Sequence, residues 1–391
     1  MAIKRLYSSD KTEFEREVAI LKVLGSRTTK HPHLITLLAT FKHHNKYHLI
    51  FPWADANLRK FWKDRPLPNF NEVTFLWSLK QMSGIANALD SIHNIAKARP
   101  SSADCPGNFV QERDTKLSDQ RKKTLYGRHG DIKPENILWF CRIEECEYDM
   151  GVLQIADFGL GGFHGRDSRS KIDPNNVVSS LTYEPPERQL LRPVSRAYDI
   201  WSLGCLYLEF VTWLLMGAAK IDEFSSEPFF TITPDGNGAV VRGEVVDLVQ
   251  KLHEHERCSA LIHNLLDLIM KHVLIPNSQE RMPAMELYKE LNRFLEKAKK
   301  DKVYLLKPMP WGKKSGRFDL RSVITFTGFD AQKAKTNRKR NINSFNLNES
   351  SSSSVVPSHP RDLLGRDAGT PGKIKRAQTL SALPAPGKVY G

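Results

Sequence analysis

Arg128-His129-Gly130-Asp131-Ile132-Lys133-Pro134-Glu135-Asn136-Ile137-Leu138, with Ile155-Ala156-Asp157-Phe158-Gly159 further on, is the stretch that decides the reading of this chain. It places an aspartate, a lysine and an asparagine on one loop, and a second aspartate, Asp157, 21 residues beyond Asn136. These groups suit metal-bound phosphates. One carboxylate can orient a hydroxyl, a lysine can neutralise a phosphoryl oxygen, and an Asn/Asp pair can ligate a hard cation such as Mg²⁺. Either half alone is a weak signal. Both in order, with further motifs on each side, are a specific one.

Upstream, Asp10 can cap a helix whose apolar positions Phe14, Val18 and Leu21 recur at helical spacing. Leu34–Phe41 and Tyr47–Trp53 read as strands joined by the polar turn His43-His44-Asn45-Lys46. Residues 70–94 read as a long amphipathic helix through Phe75, Leu79, Met82, Ile85 and Leu89. Residues 95–127 are polar and read as an inserted surface loop. Arg142–Asp149 reads as a polar hairpin tip before a strand at Gly151–Ala156, and helices are expected to dominate from there to about residue 297.

The 391 residues are 40% hydrophobic, enough for a sizeable core. Charge is unevenly spread. Residues 301–391 hold 17 Lys and Arg against 6 Asp and Glu, so +11 of the net +14 lies there. Within it, residues 331–391 are rich in Lys, Arg, Ser, Asn and Pro, a composition that predicts a disordered basic tail. Such a tail can engage an acidic partner or nucleic acid, and Lys335-Thr336-Asn337-Arg338-Lys339-Arg340 has the look of a nuclear import signal. Residues 302–329 keep Tyr304, Leu305, Trp311, Phe318, Phe326 and Phe329, enough apolar material to dock on a fold. The five cysteines lack the spacing of a zinc site. Ile200–Met216 is apolar but for Glu209, and reads as a helix buried on all sides rather than a membrane span. The chain opens on polar sequence without a visible targeting signal.

The two opening motifs resemble those of the eukaryotic protein kinases, of the serine/threonine type. Seven further segments match in order. They are Ala2-Ile3-Lys4, Phe14–Leu21, His31-Pro32-His33-Leu34-Ile35, Leu49-Ile50-Phe51-Pro52-Trp53, Tyr183-Glu184-Pro185-Pro186-Glu187, Asp199–Cys205, and Arg281 as the partner of Glu187. The resemblance runs from residue 2 to about 297. It implies an α+β, bilobal protein-kinase-like fold: a β-rich, truncated small lobe at 1–53, a mainly helical large lobe at 54–297 carrying the 95–127 insert, an extension at 298–330 and the tail at 331–391.

The same resemblance implies residue roles. Asp131 would accept or orient the substrate hydroxyl proton, Lys133 would contact the transferred phosphate, and the Ser180 hydroxyl would bridge the two. Asn136 and Asp157 would ligate Mg²⁺. Lys4 would hold the α- and β-phosphates of ATP, steadied by Glu17, although Glu13 and Glu15 compete on spacing. Phe51, Trp53, Ala54 and Leu138 would line the adenine slot. Leu21, Leu37, His129 and Phe158 would form an apolar column between the lobes, with Asp199 anchoring the catalytic-loop backbone. The implied activity is transfer of the γ-phosphoryl group of Mg-ATP to Ser or Thr of a protein substrate, inside the cell, in cytoplasm or nucleus. The alternative is a catalytically weak or inactive kinase-like scaffold, a pseudokinase acting as a binding module.

Two departures qualify this. Gly130 replaces the arginine that usually reads a phosphate on the activation segment, so activity is expected not to need phosphorylation of Ser168, Ser170, Ser179 or Ser180. The glycine-rich loop that normally covers ATP is not found before Lys4, and the sequence is expected to be an incomplete version of a longer chain.

Overall fold

The computed structural model describes residues 1–6, 11–25, 30–94, 126–141, 150–158, 162–164 and 181–310. Ser180, Asp10, the bulk of the expected insert, the Arg142–Asp149 tip and the basic tail lie outside the described residues.

Strand β1 (Ala2–Arg5) and helix α1 (Lys11–Leu24) come first, followed by the hairpin β2 (Ala39–His43) and β3 (Lys46–Phe51). The sheet is antiparallel in the order β1-β3-β2, with Ala2 opposite Phe51 and Phe41 opposite His48. The hairpin turn puts His44 and Asn45 in the left-handed region (φ 44° and 58°), the geometry of a two-residue turn that follows strand twist. The expected strand from Leu34 is shorter in fact. Leu34 forms only an isolated parallel bridge to Ile155, and pairing with β3 begins at Ala39. Helix α1 packs on the inner face of the sheet, where Phe14 stacks on Tyr47 and Leu49 is fully buried.

The chain then crosses into the helical part through β4 (Ala56–Asn57), α2 (Leu58–Asp64) and α3 (Glu72–His93). Asn57 caps α2 through Lys60 N, and Asn71 caps α3 through Thr74 N, each leaving fewer orphan amides at a helix start. Beyond come β5 (Tyr126–Arg128), β6 (Ile137–Phe140), β7 (Val152–Ile155) and β8 (Gly162–His164). Strands β4, β6 and β7 form one small sheet and β5 pairs with β8, so Tyr126 and Gly127, read from sequence as insert, belong to a strand.

Helices α4 (Pro186–Gln189), α5 (Ala197–Met216) and α6 (Ala218–Phe224) lead to a hairpin, β9 (Phe230–Ile232) and β10 (Ala239–Val241), that the sequence reading missed. Then follow α7 (Gly243–His253), α8 (Ala260–Leu268), α9 (Ala284–Lys300) and α10 (Lys302–Leu306). Helix α5 is apolar all round and buried along nearly its whole length, as expected for the axis of a helical lobe. Among the described residues it is the one helix long and apolar enough to cross a membrane. Gly204 lets it approach Val273 and Leu274, whose side chains a Cβ would meet at 2.8 and 2.9 Å. Helix α9 runs past the expected boundary at residue 297, and α10 docks beside it with Tyr304 and Leu305 buried. The Tyr304 hydroxyl accepts from Asn264 at 3.0 Å, Lys297 lies over its ring, and Met309 N donates to Cys258 O at 2.8 Å.

Candidate active site

Asp199, in the first turn of α5, organises the site from below. Its carboxylate is fully buried and accepts from His129 N (2.9 Å), Gly130 N (2.8 Å) and His93 Nε2 (2.8 Å). Burial alone would raise its pKa; the hydrogen bond and charge of His93, with the Gly130 amide, win, and the pKa lies below the ordinary value. Gly130 has φ 83°, a left-handed conformation that costs glycine nothing and costs a side-chain-bearing residue of order 1 kcal/mol. The backbone amide that Asp199 requires is thus presented without strain.

His129 fixes the next step. Its Nε2 lies 3.0 Å from Ala156 O, and its Nδ1 lies 3.3 Å from Asp131 N. A carbonyl needs a donor and an amide needs an acceptor, so the ring is the neutral Nε2–H tautomer by bonding. One imidazole therefore ties the Asp131 loop to the segment before Asp157. The ring also meets Phe158 edge-on at 5.1 Å. Leu21, His129 and Phe158 are buried and Leu37 is partly so.

Asp131 Oδ2 receives Lys133 Nζ at 2.7 Å and Asn136 Nδ2 at 2.9 Å, and Asn136 Nδ2 also reaches Asp131 O at 2.8 Å. Asn136 O accepts from Ala156 N at 2.9 Å, which sets the asparagine beside the residue preceding Asp157. Asp157 itself is left-handed at φ 67° and exposed.

From the sheet, Lys4 Nζ reaches Glu17 Oε1 and Asp157 Oδ1, both at 2.7 Å. Glu17 is thus a helix carboxylate that meets it, whereas Glu15 pairs with Lys11. Burial pulls the Lys4 pKa down, but Asp157 and then Glu17 outweigh it, and the ammonium is held above its ordinary value. The structure therefore brings Lys4, Glu17 and Asp157 into one cluster and Asp131, Lys133 and Asn136 into another, joined through Ala156. Phe51, at the end of β3, and Leu138, on β6, are buried; Ala54 is half-buried, and Trp53 keeps 47% of its surface exposed. The oxygen donors of Asn136 and Asp157 fit a hard divalent cation, and the cationic Lys4 fits a polyphosphate.

The sequence reading missed Arg59. It joins Glu135 of the Asp131–Asn136 loop (3.2 Å), Tyr183 and Glu209 of α5 (3.2 Å). Burial raises the Glu209 pKa to about 7 against the pull of Arg59. No spacing rule links residues 59, 135, 183 and 209, so only the fold could reveal them.

The family model for the protein kinase domain matches residues 127–290. This match and the similarities that follow support membership of the eukaryotic protein kinase superfamily. It is 25% identical over 228 residues to cyclin-dependent kinase D-1 of Arabidopsis thaliana, covering 58% of this chain and 46% of that one. It is 36% identical over 85 residues to the probable cyclin-dependent kinase 8 of Dictyostelium discoideum, covering 22% and 21%. It is 24% identical over 232 residues to human cyclin-dependent kinase-like 5, covering 57% and 19%. The matches span less than half the length of each of these relatives.

Proposed function

We propose that this chain is a protein kinase that transfers the γ-phosphoryl group of ATP, with Mg²⁺, to serine or threonine of a protein. The observation that carries the reading is the double ion pair of Lys4, to Glu17 and to Asp157, at 2.7 Å each. It sets a cation beside Asp157, a carboxylate that could serve as a metal ligand. Bound magnesium would supply charge neutralisation on the phosphate oxygens, with Asn136 and Asp157 as its protein ligands.

The remaining work falls to the chain's own groups. Lys4 binds and orients phosphate oxygens. Asp131 holds the acceptor hydroxyl and takes its proton at a carboxylate oxygen. Lys133, now paired with Asp131, offsets negative charge on the transferred group. Lys133, two residues after Asp131, resembles the arrangement in serine/threonine kinases, and that resemblance supports serine and threonine as acceptors.

Incubating the protein with Mg-ATP and a mixed peptide library tests this. Phosphate incorporation into Ser or Thr peptides that disappears in Asp157→Ala supports it. No incorporation by the wild type, with nucleotide binding intact, favours the scaffold reading.

A further inference from the structure

Arg59 stands on the first turn of α2, beside the cap Asn57. Its Nε donates to Glu135 Oε1 at 3.2 Å, and its Nη2 donates to Tyr183 Oη and to Glu209 Oε1, the last at 3.2 Å. Tyr183 Oη donates in turn to Glu209 Oε1 at 2.8 Å. One guanidinium thus spans the turn Pro134–Asn136, the short helix Leu181–Tyr183 and the buried middle of α5. Helix α5 is packed on all sides and gives the arrangement a fixed base.

The same short segment holds the loop a second time. Asn57 pairs with Leu138 where β4 meets β6. The catalytic turn is therefore fastened to residues 57–59 at Glu135 through a side chain and at Leu138 through the backbone ladder. Between those two points lies Asn136, whose side-chain amide holds Asp131 O and Oδ2. Movement at Glu135 reaches Asn136 through the chain and Asp131 through these two bonds. The Arg59 side chain is 17% exposed and that of Glu135 34%, so the link is sheltered enough to escape most of the screening of a surface pair.

We infer that Arg59 and Glu135 form a clamp that positions the Asp131–Asn136 loop for phosphoryl transfer, Arg59 being a positioning residue that acts through Glu135. This rests on the kinase reading above and adds two residues to it.

Glu135→Ala cuts the loop end of the clamp while leaving Arg59 paired with buried Glu209, so the fold is kept. With Mg-ATP and an acceptor peptide, its kcat is expected to fall about tenfold, as when residues that orient metal ligands are lost, with KM for ATP little changed. Glu135→Gln still accepts from Arg59 Nε and recovers most of that loss. Arg59→Met alone strands the Glu209 carboxylate, so it is combined with Glu209→Gln, and that double variant is expected to be as slow as Glu135→Ala. A wild-type kcat in Glu135→Ala, or a Glu135→Gln as slow as Glu135→Ala, overturns the clamp. A wild type that transfers no phosphate overturns the kinase reading instead. The clamp is then decided by hydrogen exchange at the Asn136 amide, which donates to Lys133 O at 2.9 Å. Faster exchange in Glu135→Ala upholds it, and an unchanged rate overturns it.

Discussion

Arg281 grips the Glu187 carboxylate with both terminal nitrogens, at 2.8 and 2.7 Å, and the pair is almost wholly buried. It joins the segment after the short helix Leu181–Tyr183 to the loop before α9. The same guanidinium also donates to the carbonyls of Ile275, Ala197 and Pro276. Losing one half of a buried pair leaves an uncompensated charge, at about 3–5 kcal/mol. Glu187→Ala is therefore expected to lower unfolding free energy by about that much in urea titrations. Replacing both residues with leucine should recover only part of the loss, because three carbonyls lose a donor at about 1 kcal/mol each.

Lys4 sits between two carboxylates, and removing its charge leaves Glu17 buried and unpaired beside Asp157. Lys4→Met is expected to cut phosphoryl transfer by about 10²–10³, the usual effect of deleting one preorganised electrostatic contact. Glu17→Gln keeps a hydrogen-bond acceptor for Lys4, and its loss should be clearly smaller. Steady-state kinetics on the three proteins decides it; equal losses in both variants would contradict the geometry.

Gly84 lies mid-helix in α3, where alanine would ordinarily gain about 1 kcal/mol. Here a Cβ would meet His33 Nε2 at 2.0 Å, against the ring whose Nδ1 is bonded to Leu153 O at 2.8 Å. Overpacking costs about 1–3 kcal/mol and should win, so Gly84→Ala is expected to destabilise. In a His33→Ala background the obstacle is gone and the same substitution should stabilise. Thermal melts of the four proteins show whether the sign reverses.

Burial holds His31, His33 and His253 to pKa values of about 4, from an ordinary value near 6.5. Between pH 6.5 and 4 the unfolded chain binds more protons at these sites, so their contribution to stability falls as the solution is acidified. Glu209, raised to about 7, works the other way, because the folded chain holds its proton more tightly between pH 7 and 4.5. Three histidines against one glutamate leave a net loss on acidification. The urea midpoint should drop from pH 7 to pH 4.5, less steeply in His33→Gln and more steeply in Glu209→Gln. A midpoint independent of pH would count against these burial effects.

Much of the site was written in short-range sequence. Asp131, Lys133 and Asn136 occupy one loop, and the positions of Asp199 and Arg281 follow from motifs around them. Glu17 was harder, because Glu13, Glu15 and Glu17 share one helix and only the packing of α1 on β3 selects among them. The hairpin β9–β10 escaped notice because its strands are three residues each, too short for alternation to show against the helical background. Arg59 was invisible for a different reason. Its partners lie 76, 124 and 150 residues away, and a surface-like helix start, Asn57-Leu58-Arg59, gives no hint that a charge there turns inward.

The docking of α10 bears on how the protein can be prepared. A polypeptide cut back to residue 297, where composition alone suggests an edge, would amputate Tyr304 and Leu305 and bare the greasy seat they fill beside α8 and α9. Expression plasmids that carry the reading frame through Pro310 avoid that sticky wound and should give far less precipitated material.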